Sequence, residues 1–178
     1  MDAVEHCEHG VFLSVLDVGL LIKGDAGIGK SSLALELIER GHQFISDDVV
    51  HIFSDKMSNS TSNSRLIGKS PDMLKDLLAI RDLGVLNVAQ LFSANSCLAQ
   101  HPLDLIIELV DNEHLIPVTL TGIQSELSLL NHTIPVQTVH AHPKRNLAVI
   151  VETAVKNHIL YKRGQDAGTL LEKQQQYI

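Results

Sequence analysis

The segment Gly24-Asp25-Ala26-Gly27-Ile28-Gly29-Lys30-Ser31 fits G-x-x-x-x-G-K-[ST] at every fixed position, and nothing else in the chain limits the fold so tightly. Its glycines let backbone N–H groups turn inward around an anion. A helix starting behind them adds its free N-terminal donors and the positive end of its dipole. The flanking residues supply that context. Segments 11–16 and 19–23 read as β-strands around a turn at Asp17, the second running into the glycines. Segment 30–40 reads as a helix with Leu33 and Leu37 on one face, Ala34 and Ile38 beside them, and Gly41 as the stop. Lys30 is the oddity: a cation in the first turn is unfavourable by a few tenths to about 1 kcal/mol, a conflict that a bound phosphate removes. Ser31 is the expected hydroxyl ligand of a magnesium ion bridging phosphates, although a plain helix-start serine would look the same.

The rest of the composition fits such a core. A length of 178 residues suits a single domain with one cleft. With 44% apolar residues, 3% aromatics and no tryptophan, the interior is Leu, Ile, Val and Ala, as in a parallel or mixed sheet flanked by helices. The expected class is therefore α/β. A net charge of -7 with no basic run argues against a nucleic-acid partner. Cys7 and Cys97 are too few and too far apart for a disulfide framework or a paired zinc site, which points to a reducing, cytoplasmic setting. The acidic start, and an apolar stretch at 11–22 that is short and carries Asp17, predict neither export nor a membrane span.

Further along, segments 43–46 and 49–53 are strand material interrupted by Asp47 and Asp48, and 54–64 is a serine-rich surface loop expected to be mobile. Ser70-Pro71-Asp72 signals a helix start leading into 73–78. Segments 104–109 and 134–139 are candidate buried strands. Pro143 is read as opening the longest helix, with Leu147, Ile150, Val151, Ala154 and His158 along one face and a stop before Gly164.

The two aspartates have a geometric reason to be near the glycine loop. An eleven-residue helix advances roughly 16 Å, and about five extended residues come back by as much. Neighbouring strand residues face opposite ways, so one carboxylate is expected to hold the metal and the other to face an acceptor. A solvated turn pair is the alternative reading.

Residues 24–50, GDAGIGKSSLALELIERGHQFISDDVV, closely resemble the corresponding region of the bacterial HPr kinase/phosphorylase family, catalytic domain. The resemblance continues through 66–71, through IRDLGVLNVAQLF at 80–92 and through RNLAVIVETAVKN at 145–157. It implies a P-loop core akin to that of phosphoenolpyruvate carboxykinase. It also implies ATP- and Mg2+-dependent phosphorylation of a serine on HPr, the phosphocarrier of the sugar phosphotransferase system, and its reversal by phosphate with release of pyrophosphate. Longer members carry an extra N-terminal domain, so the chain is expected to be a single catalytic-type domain over 1–178, and members are hexamers.

The resemblance also carries roles. The loop from Gly24 to Ser31 holds the nucleotide, with Lys30 on the phosphates and Ser31 on the metal. Asp47 is the general base on the acceptor serine and the general acid in reverse, and Asp48 is its neighbour on the metal side. His9, in a His9-Gly10 pair that alone would read as a surface turn, matches an active-site histidine, and Arg81 is retained. The departures are specific: Ala79 stands where the family has a glutamate near the metal, Asp82 where it has a glycine, Ser32 where an acidic residue is expected, and Lys144 where a glycine opens the late helix. A family arginine is matched by no residue of the 118–122 stretch. These leave two alternatives to an HPr kinase: a kinase of another hydroxyl acceptor, or a catalytically degenerate nucleotide-binding regulatory module.

Overall fold

The computed structural model describes residues 6–55, 64–111, 125–165, 167, 168 and 170. The described residues open with β1 (His6–His9) and β2 (Val11–Val15), which belong to different sheets, followed by β3 (Val18–Gly24). The helix α1 (Lys30–Glu39) leads to β4 (Gln43–Ser46), β5 (Val49–Asp55) and β6 (Arg65–Lys69). A hairpin of β7 (Leu77–Ile80) and β8 (Gly84–Asn87) precedes the single-turn helix α2 (Val88–Leu91). Strands β9 (Gln100–Pro102), β10 (Leu105–Val110), β11 (Ser125–Leu129) and β12 (His132–His140), and helix α3 (Leu147–Lys162), complete the order.

The strands form a six-stranded sheet in the order β11-β12-β10-β3-β2-β4 and a four-stranded sheet in the order β1-β5-β6-β9, beside the small hairpin. In the large sheet β3, β10 and β12 are parallel and the other three are antiparallel to their neighbours. This is the mixed α/β architecture that the composition predicts.

The continuous apolar runs have a simple cause: both faces of the large sheet are covered. Val11, Leu13, Leu20, Ile22 and Ile107 point to the side of α1 and α3 and pack with Leu33, Leu37, Val151 and Val155. Phe12, Leu21 and Ile106, one residue out of phase, point to the other side and pack with Val50, Ile52 and Leu66 of the small sheet. The result is three layers, with the large sheet in the middle. Truncating a fully buried member such as Ile22 costs about 2–5 kcal/mol.

Two expectations are corrected. Segment 73–78 is not a helix: a 3-10 turn at Asp72–Leu74 gives way to β7. Asp76 takes a left-handed φ of 61°, which ends any helix, and the Ser70 hydroxyl bonds the Pro71 carbonyl instead of capping an amide. The late helix starts at Leu147 and not at Pro143. Asn146 caps it by accepting from the Val149 amide at 3.1 Å, while Pro143 lies in a turn closed by the Arg145 amide on the His142 carbonyl. The serine-rich loop falls mostly outside the described residues, although Ser54 and Asp55 extend β5 and Ser64 contacts His132. The 118–122 stretch also lies outside them. Among the described residues no helix is long and apolar enough to cross a membrane.

Candidate phosphate and acceptor site

Strand β3 delivers the chain to the glycine loop, and the loop delivers it to α1. Gly27 and Gly29 adopt φ values of 81° and 103°, conformations that a side chain would strain, and Gly29 is the residue from which α1 starts. The Lys30 ammonium folds back over the loop and donates to the carbonyls of Gly24 at 2.8 Å and Asp25 at 3.0 Å. That contact offsets part of the cost of a cation in the first turn and holds the ammonium over the loop.

The aspartates lie where the chain leaves the large sheet at the end of β4 and enters the small sheet at β5. The corner is tight: Val49 N–H donates to the Asp47 carbonyl, and Asp48 has a left-handed φ of 68°. The two carboxylates therefore diverge, as expected, but a turn and not strand alternation separates them. Asp47 is 7% exposed. It accepts the Ser31 hydroxyl at 3.1 Å and the Ala79 amide at 3.0 Å. Burial raises its pKa above the ordinary carboxylate value and the charge of Asp48 adds to this, against the Ala79 and Ser31 hydrogen bonds.

Asp48 turns outward. A second crossing between the sheets, at His9 and Gly10, runs beside it. Gly10 N–H and the His9 ring both donate to the Asp48 carbonyl, at 3.2 and 2.9 Å, and His9 Nδ1 lies 3.5 Å from the Asp48 carboxylate. A carbonyl only accepts, so it is the His9 Nδ1–H that donates here. Of the predicted pair of roles, the carboxylate that meets Ser31 is that of Asp47, and Asp48 is grouped with His9.

The hairpin β7–β8 closes the other wall. Ala79, Ile80, Arg81 and Asp82 line a cavity of about 370 Å3 with Lys30 and Ser31. A methyl placed on Gly27 would come within 3.3 Å of Arg81 Nη2, so the guanidinium lies over the loop. The site thus joins Lys30, Ser31, Asp47 and Arg81 from three separate elements. Ala79 contributes its backbone amide to Asp47, where the resemblance expects a carboxylate in addition. Its side chain is a methyl, and Asp82 adds an anion to the wall beside Arg81.

The donor set suits a hard cation. Ser31 and Asp47 offer two oxygens within 3.1 Å of each other, as befits magnesium, which takes one or two protein oxygens and completes its shell with phosphates and water. Cys97 is a poor thiolate: burial and the neighbouring Asp76 push it up to about 12. A grouping of Ser14, His101 and Asp17 resembles a nucleophile triad in composition alone. The serine and the aspartate both face His101 Nε2, at 3.4 and 3.5 Å, while Nδ1 faces the Pro102 carbonyl at 3.0 Å, so the ring does not bridge serine to aspartate as a relay requires.

Comparison with known proteins places this chain in a known family. Residues 3–175 match the model of the HPr Serine kinase C-terminal domain. The chain is 43% identical over 168 residues to the HPr kinase/phosphorylase of Neisseria meningitidis, covering 93% of this chain and 51% of that protein. It is 40% identical over 168 residues to the HPr kinase/phosphorylase of Chromobacterium violaceum, with the same coverage. It therefore spans about half the length of these curated relatives. The solved Hpr(Ser) kinase/phosphatase of Coxiella burnetii superposes with a TM-score of 0.82 at 33% identity, over 94% of this chain and 98% of that one.

Proposed function

This chain belongs to the HPr serine kinase C-terminal domain family, and from that premise we propose that it transfers the terminal phosphoryl group of ATP to a serine of HPr and can run the transfer backwards. The observation that carries this reading is the Ser31–Asp47 hydrogen bond, which brings a buried carboxylate to the phosphate loop beside Lys30 and Arg81.

In this reading the inward amides of the loop and Lys30 hold the polyphosphate, and Arg81 meets the charge that builds up on the transferring group. Asp47 accepts the proton of the attacking serine. In reverse it returns the proton to the serine oxygen. Magnesium, held by the Ser31 hydroxyl with Asp47 in reach, would neutralise phosphate charge. Asp48 and His9 form the outer wall on the acceptor side. The working form in this reading is a cytoplasmic homo-oligomer, a hexamer by resemblance.

A second reading, a nucleotide-binding regulatory module, is favoured by Ala79 and Asp82, which remove a carboxylate and add another where charge balance matters most. The deciding experiment is radiolabelled ATP with magnesium and purified HPr. Label on HPr supports the kinase. Tight ATP binding with no label on HPr or another acceptor supports the module.

A further inference from the structure

Glu8 and Lys23 each stand one residue before a turn of the site. Glu8 precedes the His9-Gly10 crossing, and Lys23 precedes Gly24, where the phosphate loop begins. Strand alternation puts both side chains between the two sheets. Lys23 follows Leu21 on the face of β3 that packs against the small sheet, and β1 presents Glu8 on the side of Val50, its partner on β5. There the Lys23 ammonium donates to Glu8 Oε2 at 2.6 Å, and the His6 ring lies 2.9 Å from Oε1. Both carboxylate oxygens are engaged, with the Glu8 side chain 13% exposed and that of Lys23 29%. Burial pushes the Glu8 carboxyl up, but the bonds from Lys23 and His6 outweigh it and hold the group below its ordinary value.

The place of this pair matters because the contacts between the sheets are mostly apolar. Phe12, Leu21 and Ile106 against Val50, Ile52 and Leu66 make a non-directional interface, which alone does not fix how far one sheet slides over the other. At the end remote from the loop, backbone bonds fix it: the Leu103 amide donates to the Leu66 carbonyl at 2.8 Å and the Asp104 amide to the Gly19 carbonyl at 2.9 Å. At the loop end, Gly10 N–H on the Asp48 carbonyl joins the two crossings to each other. Glu8–Lys23 joins the β1 side of them to the end of β3. The backbones are close there as well, since a methyl placed on Gly10 would come within 2.5 Å of the Ile22 carbonyl oxygen.

We propose that Glu8 and Lys23 are positioning residues for phosphoryl transfer, holding the acceptor wall at His9 in register with the phosphate loop. This rests on the kinase reading above and extends it to two side chains that do not line the cavity of Lys30, Ser31 and Arg81. A charge-assisted hydrogen bond is short, strong and directional. A misplacement of about 1 Å between reacting groups costs about a hundredfold in rate. The pair therefore acts on turnover, through alignment, and not on how tightly nucleotide binds.

The test is steady-state transfer to HPr, with ATP titrations and melting temperatures, for Lys23→Met, Glu8→Gln and Lys23→Arg. Lys23→Met keeps the apolar stem and Glu8→Gln keeps the shape, so each removes the ion pair with little loss of packing. Lys23→Arg keeps the charge. The expected result is kcat lowered about tenfold or more in the first two variants, with KM for HPr and ATP affinity within about twofold of wild type, and Lys23→Arg close to wild type. Folded variants with undiminished kcat, ATP affinity that falls as far as kcat, or Lys23→Arg as slow as Lys23→Met overturns the proposal. Should a single variant fail to fold, the double change Glu8→Gln with Lys23→Met leaves no unpaired charge and carries the same expectation. Wild type that binds ATP and labels no acceptor overturns the kinase reading instead. The pair is then judged by the NMR shift of the His9 ring on adding magnesium ATP, which Lys23→Met is expected to reduce by about half or more. An unreduced shift overturns the link between the wall and the loop.

Discussion

Ser31 donates its hydroxyl to Asp47, sixteen residues along the chain, at 3.1 Å, and the Ala79 amide donates to the same carboxylate at 3.0 Å. One buried carboxylate is thereby tied to the phosphate loop and to the β7–β8 wall.

Lys30 tests the loop. Magnesium ATP is expected to raise the melting temperature, because a ligand at about one hundred times its Kd stabilises the native state by about 2.7 kcal/mol. Lys30→Ala should abolish most of that shift. A variant that melts with the wild-type shift would contradict the phosphate role of the loop, and thermal unfolding with and without nucleotide reads it directly.

Ala79 tests the altered wall. Its amide is occupied by Asp47, but its side chain is exposed, so a longer residue can be accommodated. If the missing carboxylate limits turnover, Ala79→Glu speeds transfer with little change in ATP affinity. Initial rates and ATP titrations on the same preparation check this, and a rate unchanged or lowered in a folded variant shows that the carboxylate is not what limits the site.

Stability is expected to fall with acid in two steps. His158 lies on the inner face of α3 at 4% exposure, and among the described residues neither ring nitrogen has a hydrogen-bond partner. Burial and then the charge of Lys162 lower its pKa below 6.5, against the pull of Asp104. The folded state therefore binds the proton less readily than the unfolded one. Its contribution is complete above pH 6.5 and is lost as pH falls below that value. Glu152 acts at lower pH. The Arg40 guanidinium at 2.7 Å, joined by His42 at 2.9 Å, holds its carboxyl at about 2 against an ordinary 4.5, so this contribution is lost between pH 4.5 and about 2. Urea midpoints across pH 3–8 check the order, and His158→Leu is expected to flatten the upper stage only.

What the residues reveal in advance depends on how local the cause is. The phosphate loop is legible because its glycines, lysine and serine act within eight consecutive residues. Strands β2, β3 and β10 are legible because burial on both faces writes unbroken apolar runs. The return of Asp47 to the loop follows from chain lengths alone, but its burial and the outward turn of Asp48 do not, since they depend on a crossing between two sheets. The β7–β8 hairpin is hidden behind a helix-start signal at Ser70-Pro71-Asp72. The alternation of buried Leu78 and Ile80 with exposed Ala79 and Arg81 is the local sign that could have exposed it. The Glu8–Lys23 pair has no such sign, because it forms between strands of two different sheets.

Asp48 and His9 separate an outer wall from a metal site. Asp48→Asn leaves the His9 contact to the Asp48 carbonyl in place, because that bond uses the backbone. If Asp48 serves the metal, the variant weakens magnesium-dependent ATP binding. If it only faces the acceptor, ATP binding is kept and transfer falls. Magnesium titrations of ATP affinity distinguish the two.

The most direct measurement of the central claim is phosphoryl transfer from magnesium ATP to HPr by wild type and by Asp47→Asn, beside ATP titrations of both. An asparagine keeps the shape and can still meet Ser31 and the Ala79 amide, but it cannot take the proton of the attacking serine, a loss typically of about 10²- to 10⁴-fold. It also relieves the burial of a charge, so its melting temperature at neutral pH is expected to equal or exceed that of wild type. The account predicts transfer by wild type, and transfer by Asp47→Asn reduced at least about a hundredfold, with ATP affinity changed far less than the rate. An Asp47→Asn variant that phosphorylates HPr at the wild-type rate would contradict it.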